Sequence, residues 1–386
     1  MAVKVSDFIL NRLMEWGVNR IFGYTGDSIN PLMGSLRRAQ DKVRFVQVRN
    51  EEMASFMACA HAKFTGKVGI CCASAGPGSI HLLNGLYDAK LDNQPVVALL
   101  GQVPRPAKGT DYLQEVDLYS VFKDVASAYI QVMESPEQAR HLVDQALRIA
   151  LTERTVTAII LPHDVQELDA VKEPPRKHGF TQSGVGYALP RIVPAGSAIS
   201  QAATVLNEGK KVAMLIGSGA QNAAAEIMQV AECLGAGVAK ALLGISVLPY
   251  DIPYVTGSIG LLGTQPSWDM MNHCDTLLMV GTDFPYSEFL PSPGQARGVQ
   301  IDLRARNLSK RYPMEVNLVG DARETLQALL PLLETKTDRS WQQKIMDSVQ
   351  KWQTTIRERA MVETKPLNPQ RVYYEIFERM PADAIH

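Results

Sequence analysis

Short apolar runs alternate with amphipathic stretches along most of the chain. The runs at Arg20–Tyr24, Val43–Val48, Val68–Ala73, Val96–Leu100 and Ala158–Leu161 have the length of buried strands. Between them, Val5–Trp16 and Glu51–Phe64 carry apolar residues at helical spacing. Pro136–Leu151 does the same, with Ala139, Leu142, Val143, Ala146, Leu147 and Ala150 on one stripe. Strands alternating with helices predict a parallel α/β domain. The pattern stops between Val171 and Pro194, where Pro174-Pro175, Pro190 and Pro194 sit among Gly and Ser as in a linker. It resumes with strands predicted at Val212–Ile216, Val238–Ala241, Thr276–Val280 and Val299–Ile301. A charged, helix-forming stretch from Thr335 to Glu363 leads to Pro366, and Pro369–Met380 predicts one more helix. The expected fold class is α/β, with two parallel-sheet, Rossmann-like three-layer domains. Their expected bounds are 1–172 and 194–335, joined by a linker at 173–193. A helical linker at 336–365 and the start of a further domain at 366–386 follow. No internal repeat is visible.

Composition narrows the function classes. With 39 basic and 40 acidic residues among 386, no basic surplus exists to neutralise phosphates, which argues against a nucleic-acid partner. The longest apolar stretches, Pro95–Gly101 and Val156–Leu161, are far short of a membrane span. The N-terminus has no apolar signal core, so a cytoplasmic location is expected. Cysteines at 59, 71, 72, 233 and 274 have neither disulfide nor metal-ligand spacing and read as inert core thiols. The seven histidines show no His-x-x-x-His pair, so no histidine-held metal is expected. Neither a Gly-x-Ser-x-Gly elbow nor a Walker loop is present.

Candidate chemistry collects where predicted strands end. Asn50 is a good N-cap, and Glu51 and Glu52 occupy the first turn of the helix after it. First-turn carboxylates commonly serve only the helix dipole, and spacing alone does not separate that role from a catalytic one. The stretch Ala73-Ser74-Ala75-Gly76-Pro77-Gly78-Ser79-Ile80-His81 is a strand-to-helix turn, either a close backbone approach to a ligand or a plain tight connection. Gly23-Tyr24-Thr25-Gly26 forms a third loop at the same strand ends, where ligands bind in open parallel sheets. Further along, Ile216-Gly217-Ser218-Gly219-Ala220 lacks the third glycine and the ribose-reading acid of a dinucleotide fingerprint, and by itself reads as a tight turn.

In order, these fragments resemble the thiamine-diphosphate enzymes of the pyruvate oxidase, pyruvate dehydrogenase (quinone) and acetolactate synthase group. Phe22-Gly23-Tyr24-Thr25-Gly26, Val48-Arg49-Asn50-Glu51-Glu52, Ser74-Ala75-Gly76-Pro77-Gly78, Asn84-Gly85-Leu86-Tyr87-Asp88-Ala89, Pro95–Gly101 and Leu113-Gln114-Glu115 look like the pyrimidine-binding domain. Thr256–Gly260, Gly281-Thr282-Asp283-Phe284-Pro285-Tyr286, Gln300-Ile301-Asp302 and Val319-Gly320-Asp321 look like the flavin-binding middle domain. Asn50 stands where the family usually has His. The family's third domain, which holds Mg²⁺ on the cofactor's diphosphate, has no counterpart in the sequence, so 366–386 resembles only its beginning. The resemblance implies that Glu51 activates thiamine diphosphate through the aminopyrimidine, with Gly26, Gly76 and Gln114 lining that pocket. FAD would lie along Gly217, Gly219, Gly260, Gly281 and Asp302. The implied activity of the complete protein is decarboxylation of a 2-oxo acid such as pyruvate with FAD as electron acceptor, in a homodimer or homotetramer, the chain alone being inactive. The alternatives are an acetolactate-synthase-like carboligase and a catalytically inactive dimerisation or binding protein.

Overall fold

Alternation of period two within the apolar runs decides how the first sheet is covered. The computed structural model describes residues 2–381 and Ala384, in two units, 1–189 and 190–386. In the first, β1 (Arg20–Gly23), β2 (Arg44–Gln47), β3 (Gly69–Ala73), β4 (Val96–Gln102), β5 (Ile130–Val132) and β6 (Val156–Pro162) pair in parallel. Their order is β2-β1-β3-β4-β6-β5. Ile70, Cys72, Val97, Leu99, Ile159 and Leu161 share a core with the apolar stripes of the Val5–Glu15 and Ala139–Glu153 helices. The alternate residues Cys71, Ala73, Ala98, Leu100, Ala158 and Ile160 share the other core with the Glu51–Thr65 and Leu83–Leu91 helices. Burial on both faces explains why the central strands β3, β4 and β6 read as continuous apolar runs. Each fully buried Leu or Ile contributes about 1.5–3 kcal/mol. Burial also disposes of the thiols: Cys59, Cys71, Cys72 and Cys274 are buried, and desolvation pushes Cys72 up to about 12, so none forms a thiolate readily.

The second unit has β7 (Val212–Ile216), β8 (Gly237–Lys240), β9 (Val255–Ser258), β10 (Thr276–Val280), β11 (Arg297–Asp302) and β12 (Val316–Val319). They form a second all-parallel sheet in the order β12-β11-β10-β7-β8-β9. Counted from the unit's own first strand, this is the 3-2-1-4-5-6 order of doubly wound nucleotide-binding folds. The expected fold class is therefore the observed one. Three strands were not predicted. β5 is three residues long, β9 contains Gly257, and β12 alternates buried and exposed positions over only four residues.

Neither expected linker is free chain. The 173–193 segment is held by Asp144 of the Ala139–Glu153 helix, which is fully buried, receives a two-armed hydrogen bond from Arg12 (2.7 Å on each arm) and accepts from Trp16 Nε1 (2.8 Å) and from Ser183 Oγ of the segment. Arg12 also donates to the carbonyl of Ser183 (3.1 Å) and Arg148 to that of Gly184 (2.6 Å), so this stretch is strapped to the first unit. The Ser340–Ala360 helix, expected as a linker, buries Trp341, Ile345 and Val349 in the second unit's core, and Trp341 Nε1 donates to the carbonyl of Val212 (3.0 Å). Of the expected further domain, Pro369–Arg379 is helical, and 382, 383, 385 and 386 lie outside the described residues.

Candidate functional site

The chain leaves β1, builds β2 on one side, then crosses to β3 on the other. The crevice at the carboxyl ends of β1 and β3 is thus the switch point of the first sheet, where open parallel sheets bind ligands. Gly26 ends the loop from β1, and Ser74 begins the loop from β3. A Cβ on Gly26 would lie 2.4 Å from Ser74 Cβ, so only glycine lets the two loops meet. Ser28 laces them further, its Oγ accepting from the amide of Ala75 (2.7 Å) and sharing a hydrogen bond with Ser74 Oγ (3.0 Å).

Glu51 enters from the loop after β2. Asn50 caps the Glu51–Thr65 helix by accepting from the amide of Glu52 (2.9 Å), which fixes Glu51 in the first turn. The Glu51 side chain is 13% exposed, and its Oε2 lies 2.9 Å from His81 Nδ1. Its Oε1 lies over Gly78, where an added Cβ would come within 3.2 Å of it. Glycine there keeps one carboxylate oxygen clear for another partner. Glu52 turns elsewhere and binds Asn84.

Gly76 and Gln114 close this group from the far side. Gly76 has φ +64° and ψ −124°, Gln114 has φ +65°, and a Cβ on Gly76 would sit 2.8 Å from the carbonyl oxygen of Gln114. The structure thus gathers Glu51, Gly26, Gly76 and Gln114 at one switch point, linked through Ser74 and Gly78. His81 was missed as a site residue. Its one sequence signal was its place at the end of the glycine-rich turn, which does not reveal that it touches Glu51.

The second switch point lies between β7 and β10, and the expected flavin residues distribute unequally around it. Gly217, Gly219 and Gly281 come together, but against each other: the Gly219 amide donates to the Gly281 carbonyl (3.0 Å), and a Cβ on Gly217 would lie 2.6 Å from that oxygen. Their lack of side chains is accounted for by this backbone packing, the tight-turn reading of the sequence. Gly260 (φ +122°) lies beside the rings of Phe284 and Tyr286, which meet edge to face at 5.6 Å. Asp302 is buried at the end of β11. Burial raises its carboxyl above the ordinary range, and bonds from the amide of Arg304 (2.8 Å) and Asn307 Nδ2 (3.2 Å) offset this in part. Among the described residues, no three His, Cys, Asp or Glu side chains gather as a metal site requires. No helix among them is long and apolar enough to cross a membrane.

Comparison with known proteins agrees with this division. Residues 3–121 match the family described as thiamine pyrophosphate enzyme, N-terminal TPP binding domain, and residues 199–329 match the thiamine pyrophosphate enzyme, central domain. The chain is 35% identical to YdaP of Bacillus subtilis (strain 168), whose name describes it as thiamine pyrophosphate-containing, over all 386 residues and 66% of that protein. It is 38% identical to the 42.6 kDa protein of the isoamylase 3′ region of Pseudomonas amyloderamosa, over 88% of this chain and 83% of the relative. It is 28% identical to the pyruvate oxidase of Lactiplantibacillus plantarum, over 98% of this chain. The chain spans just under two thirds of YdaP and 62% of the oxidase.

Proposed function

The chain belongs to the thiamine pyrophosphate enzyme family, and on that footing we propose that it forms the pyrimidine-binding and central parts of an enzyme that decarboxylates a 2-oxo acid such as pyruvate and passes the electrons to FAD. The observation that carries this reading is the seat of Glu51. Its carboxylate is largely buried at a topological switch point, held by His81 through one oxygen and cleared on the other by the missing side chain of Gly78. That arrangement fits a heteroaromatic ring nitrogen exchanging a proton with Glu51. When bound, thiamine diphosphate supplies the electron sink that lets a 2-oxo acid lose CO₂.

The residues have distinct tasks. Glu51 would hold and move a proton at N1′ of the aminopyrimidine. Asn50 fixes the turn that carries Glu51. Gly26 and Gly76 let their loops close on the pocket, and Gln114 offers an amide at its edge. In the central unit, the loops around Gly217, Gly219, Gly260, Gly281 and Asp302 would receive FAD. Mg²⁺ on the diphosphate is assigned to no residue of this chain. The assembly proposed is a homodimer or homotetramer.

Absorbance and titration test the reading. The purified chain should show a flavin spectrum, directly or after incubation with FAD. It should not turn over pyruvate alone, and should do so with thiamine diphosphate and Mg²⁺ once a diphosphate-binding domain of the family is supplied. Glu51→Gln should then lower turnover about 10²–10⁴-fold, the range of general acid–base catalysis. A variant retaining more than about a tenth of the rate would remove Glu51 from its role. A colourless protein that makes acetolactate would replace the oxidase with a carboligase.

A further inference from the structure

The loop after β4 ends on Leu113-Gln114-Glu115, and its last residue has an organising place that the motif alone does not reveal. Between Gly109 and Glu115, three residues have left-handed backbone: Gly109 (φ +82°), Asp111 (φ +55°) and Gln114 (φ +65°). Asp111 and Gln114 pay a steric penalty for it, so something must hold them. The holder is the carboxylate of Glu115. Its Oε1 accepts from the amide of Gly109 (2.5 Å) and its Oε2 from that of Tyr112 (3.2 Å), while its own amide donates to the carbonyl of Tyr112 (2.9 Å). The Gly109 amide first, then those of Tyr112 and Thr110, keep this carboxyl below the usual carboxylate range. The loop closes on itself around one side chain.

The closed loop then leans on the site. The Gln114 carbonyl and Cβ lie where Gly76 would need space for a side chain, at 2.8 and 3.0 Å, so the loop and the glycine-rich turn are keyed together. Among the described residues, no hydrogen bond engages the Gln114 side-chain amide, which leaves it available to a ligand. Tyr112 and Leu113 at the tip are 54% and 78% exposed and provide no packing that could fix the loop instead.

We propose that Glu115 is a positioning residue, whose carboxylate folds the 109–115 loop into an arm that sets Gln114 against Gly76 and so fixes where its amide meets the carboxylate of the 2-oxo acid. The role in substrate binding rests on the proposed function. The role in setting the loop does not.

Hydrogen exchange of the purified chain separates the two. Hydrogen bonds to a charged acceptor are strong enough that Glu115→Ala should speed exchange at Gly109 and Tyr112 by about fivefold or more. Protection at Ile80, whose amide donates to Gly76 (3.1 Å), should fall as well, which a purely local role for Glu115 would not produce. Glu115→Gln keeps one acceptor oxygen and should expose only one of the two loop amides. It also serves as the readout if the alanine variant fails to fold. Unchanged exchange in the loop, or a change confined to 109–115 with Ile80 unaffected, would overturn the proposal. If exchange behaves as expected and the wild-type chain gives neither cofactor binding nor turnover with the supplied domain, the proposed function fails and the positioning role stands.

Discussion

Substituting Gly76 by Ala tests the keyed contact most directly. The backbone there (φ +64°, ψ −124°) is one that L-residues rarely adopt, and holding Ala in it costs about 1–3 kcal/mol. The new methyl would also stand 2.8 Å from the Gln114 carbonyl oxygen and 3.0 Å from its Cβ, closer than real contacts allow. The loop must shift, losing packing worth about another 1 kcal/mol, the lower end of overpacking costs. The expected total is about 2–4 kcal/mol, or roughly 4–16 °C in the melting of a unit of this size. Gly109→Ala is the matched control. Its φ of +82° carries a similar backbone penalty, but nothing lies within 4 Å of the added Cβ, so it should cost only about 1–2 kcal/mol. Urea unfolding followed by Trp16 fluorescence reports the first unit, provided the other tryptophans at 268, 341 and 352 are replaced by Phe in both backgrounds. If Gly76→Ala is no worse than Gly109→Ala within about 0.5 kcal/mol, the contact with Gln114 carries no energy and the keyed-loop argument fails.

Other expectations follow from buried groups. Asp144→Asn should destabilise the first unit by about 1.5–3 kcal/mol, the range for hydrogen bonds to charged groups, since it removes the buried one of Arg12's two carboxylate partners and leaves only the exposed Glu15; limited proteolysis should then cut near Ser183, and an intact strap would count against the assignment. Burial works against the Asp144 carboxylate, but bonds from Arg12, Ser183 and Trp16 outweigh it and hold its pKa below the ordinary value. Its stabilisation is therefore present above about pH 3.9 and lost as pH falls through the lower folded value, so Asp144→Asn should flatten the acid limb of a pH–stability curve. Lys240 is fully buried, donates to the carbonyls of Ile245 (3.0 Å) and Leu248 (2.8 Å), and is lowered by burial to about 8. Between that value and about 10.4 the unfolded chain binds the extra proton, so stability should rise with pH there, and equal slopes for wild type and Lys240→Met would refute it. A thiol reagent should modify only Cys233 in the native protein, the other four being buried; rapid modification of Cys71 or Cys72 would contradict the packing of β3.

What could be read from the sequence had a local cause. The central strands of the first sheet, β3, β4 and β6, announce themselves because burial on both faces makes them almost uniformly apolar, and Asn50 announces its helix because an N-cap is a property of one residue and its neighbours. The glycine-rich turns were visible as turns. What was hidden depends on residues distant in sequence. His81 meets Glu51 across 30 positions. Asp144 holds Ser183 across 39, so a stretch rich in Pro, Gly and Ser reads as loose chain although a buried carboxylate fastens it. β9 was obscured by Gly257, which propensity counts against a strand, and β12 by the half-exposed face of an edge position. Glu115 looked like the third letter of a motif, and the place of its carboxylate appears only when the amides of Gly109 and Tyr112 turn toward it.

Glycines at the two switch points serve different physical ends, and this sets how each half of the proposed function can be tested. In the first unit the missing side chain of Gly78 leaves room beside a carboxylate oxygen, space that a ligand could fill. In the second, the room beside Gly217, Gly219 and Gly281 is taken by the chain's own backbone. Enlarging Gly217 or Gly281 would therefore force the β7 and β10 loops apart whether or not a flavin lies near, and lost colour in such a variant would say nothing about contact with the cofactor. Gly260 is the better probe. It borders the Phe284 and Tyr286 rings at ordinary contact distance, with no backbone inside its Cβ position. Its φ of +122° means that Gly260→Ala carries strain of about 1–3 kcal/mol, a cost the free protein and the flavin complex share if the loop keeps its shape. Weaker FAD retention in Gly260→Ala than in an equally destabilised variant on the opposite end of the sheet would place the cofactor at this loop. Equal retention would place it elsewhere, and the flavin reading would lose its structural argument in the central unit.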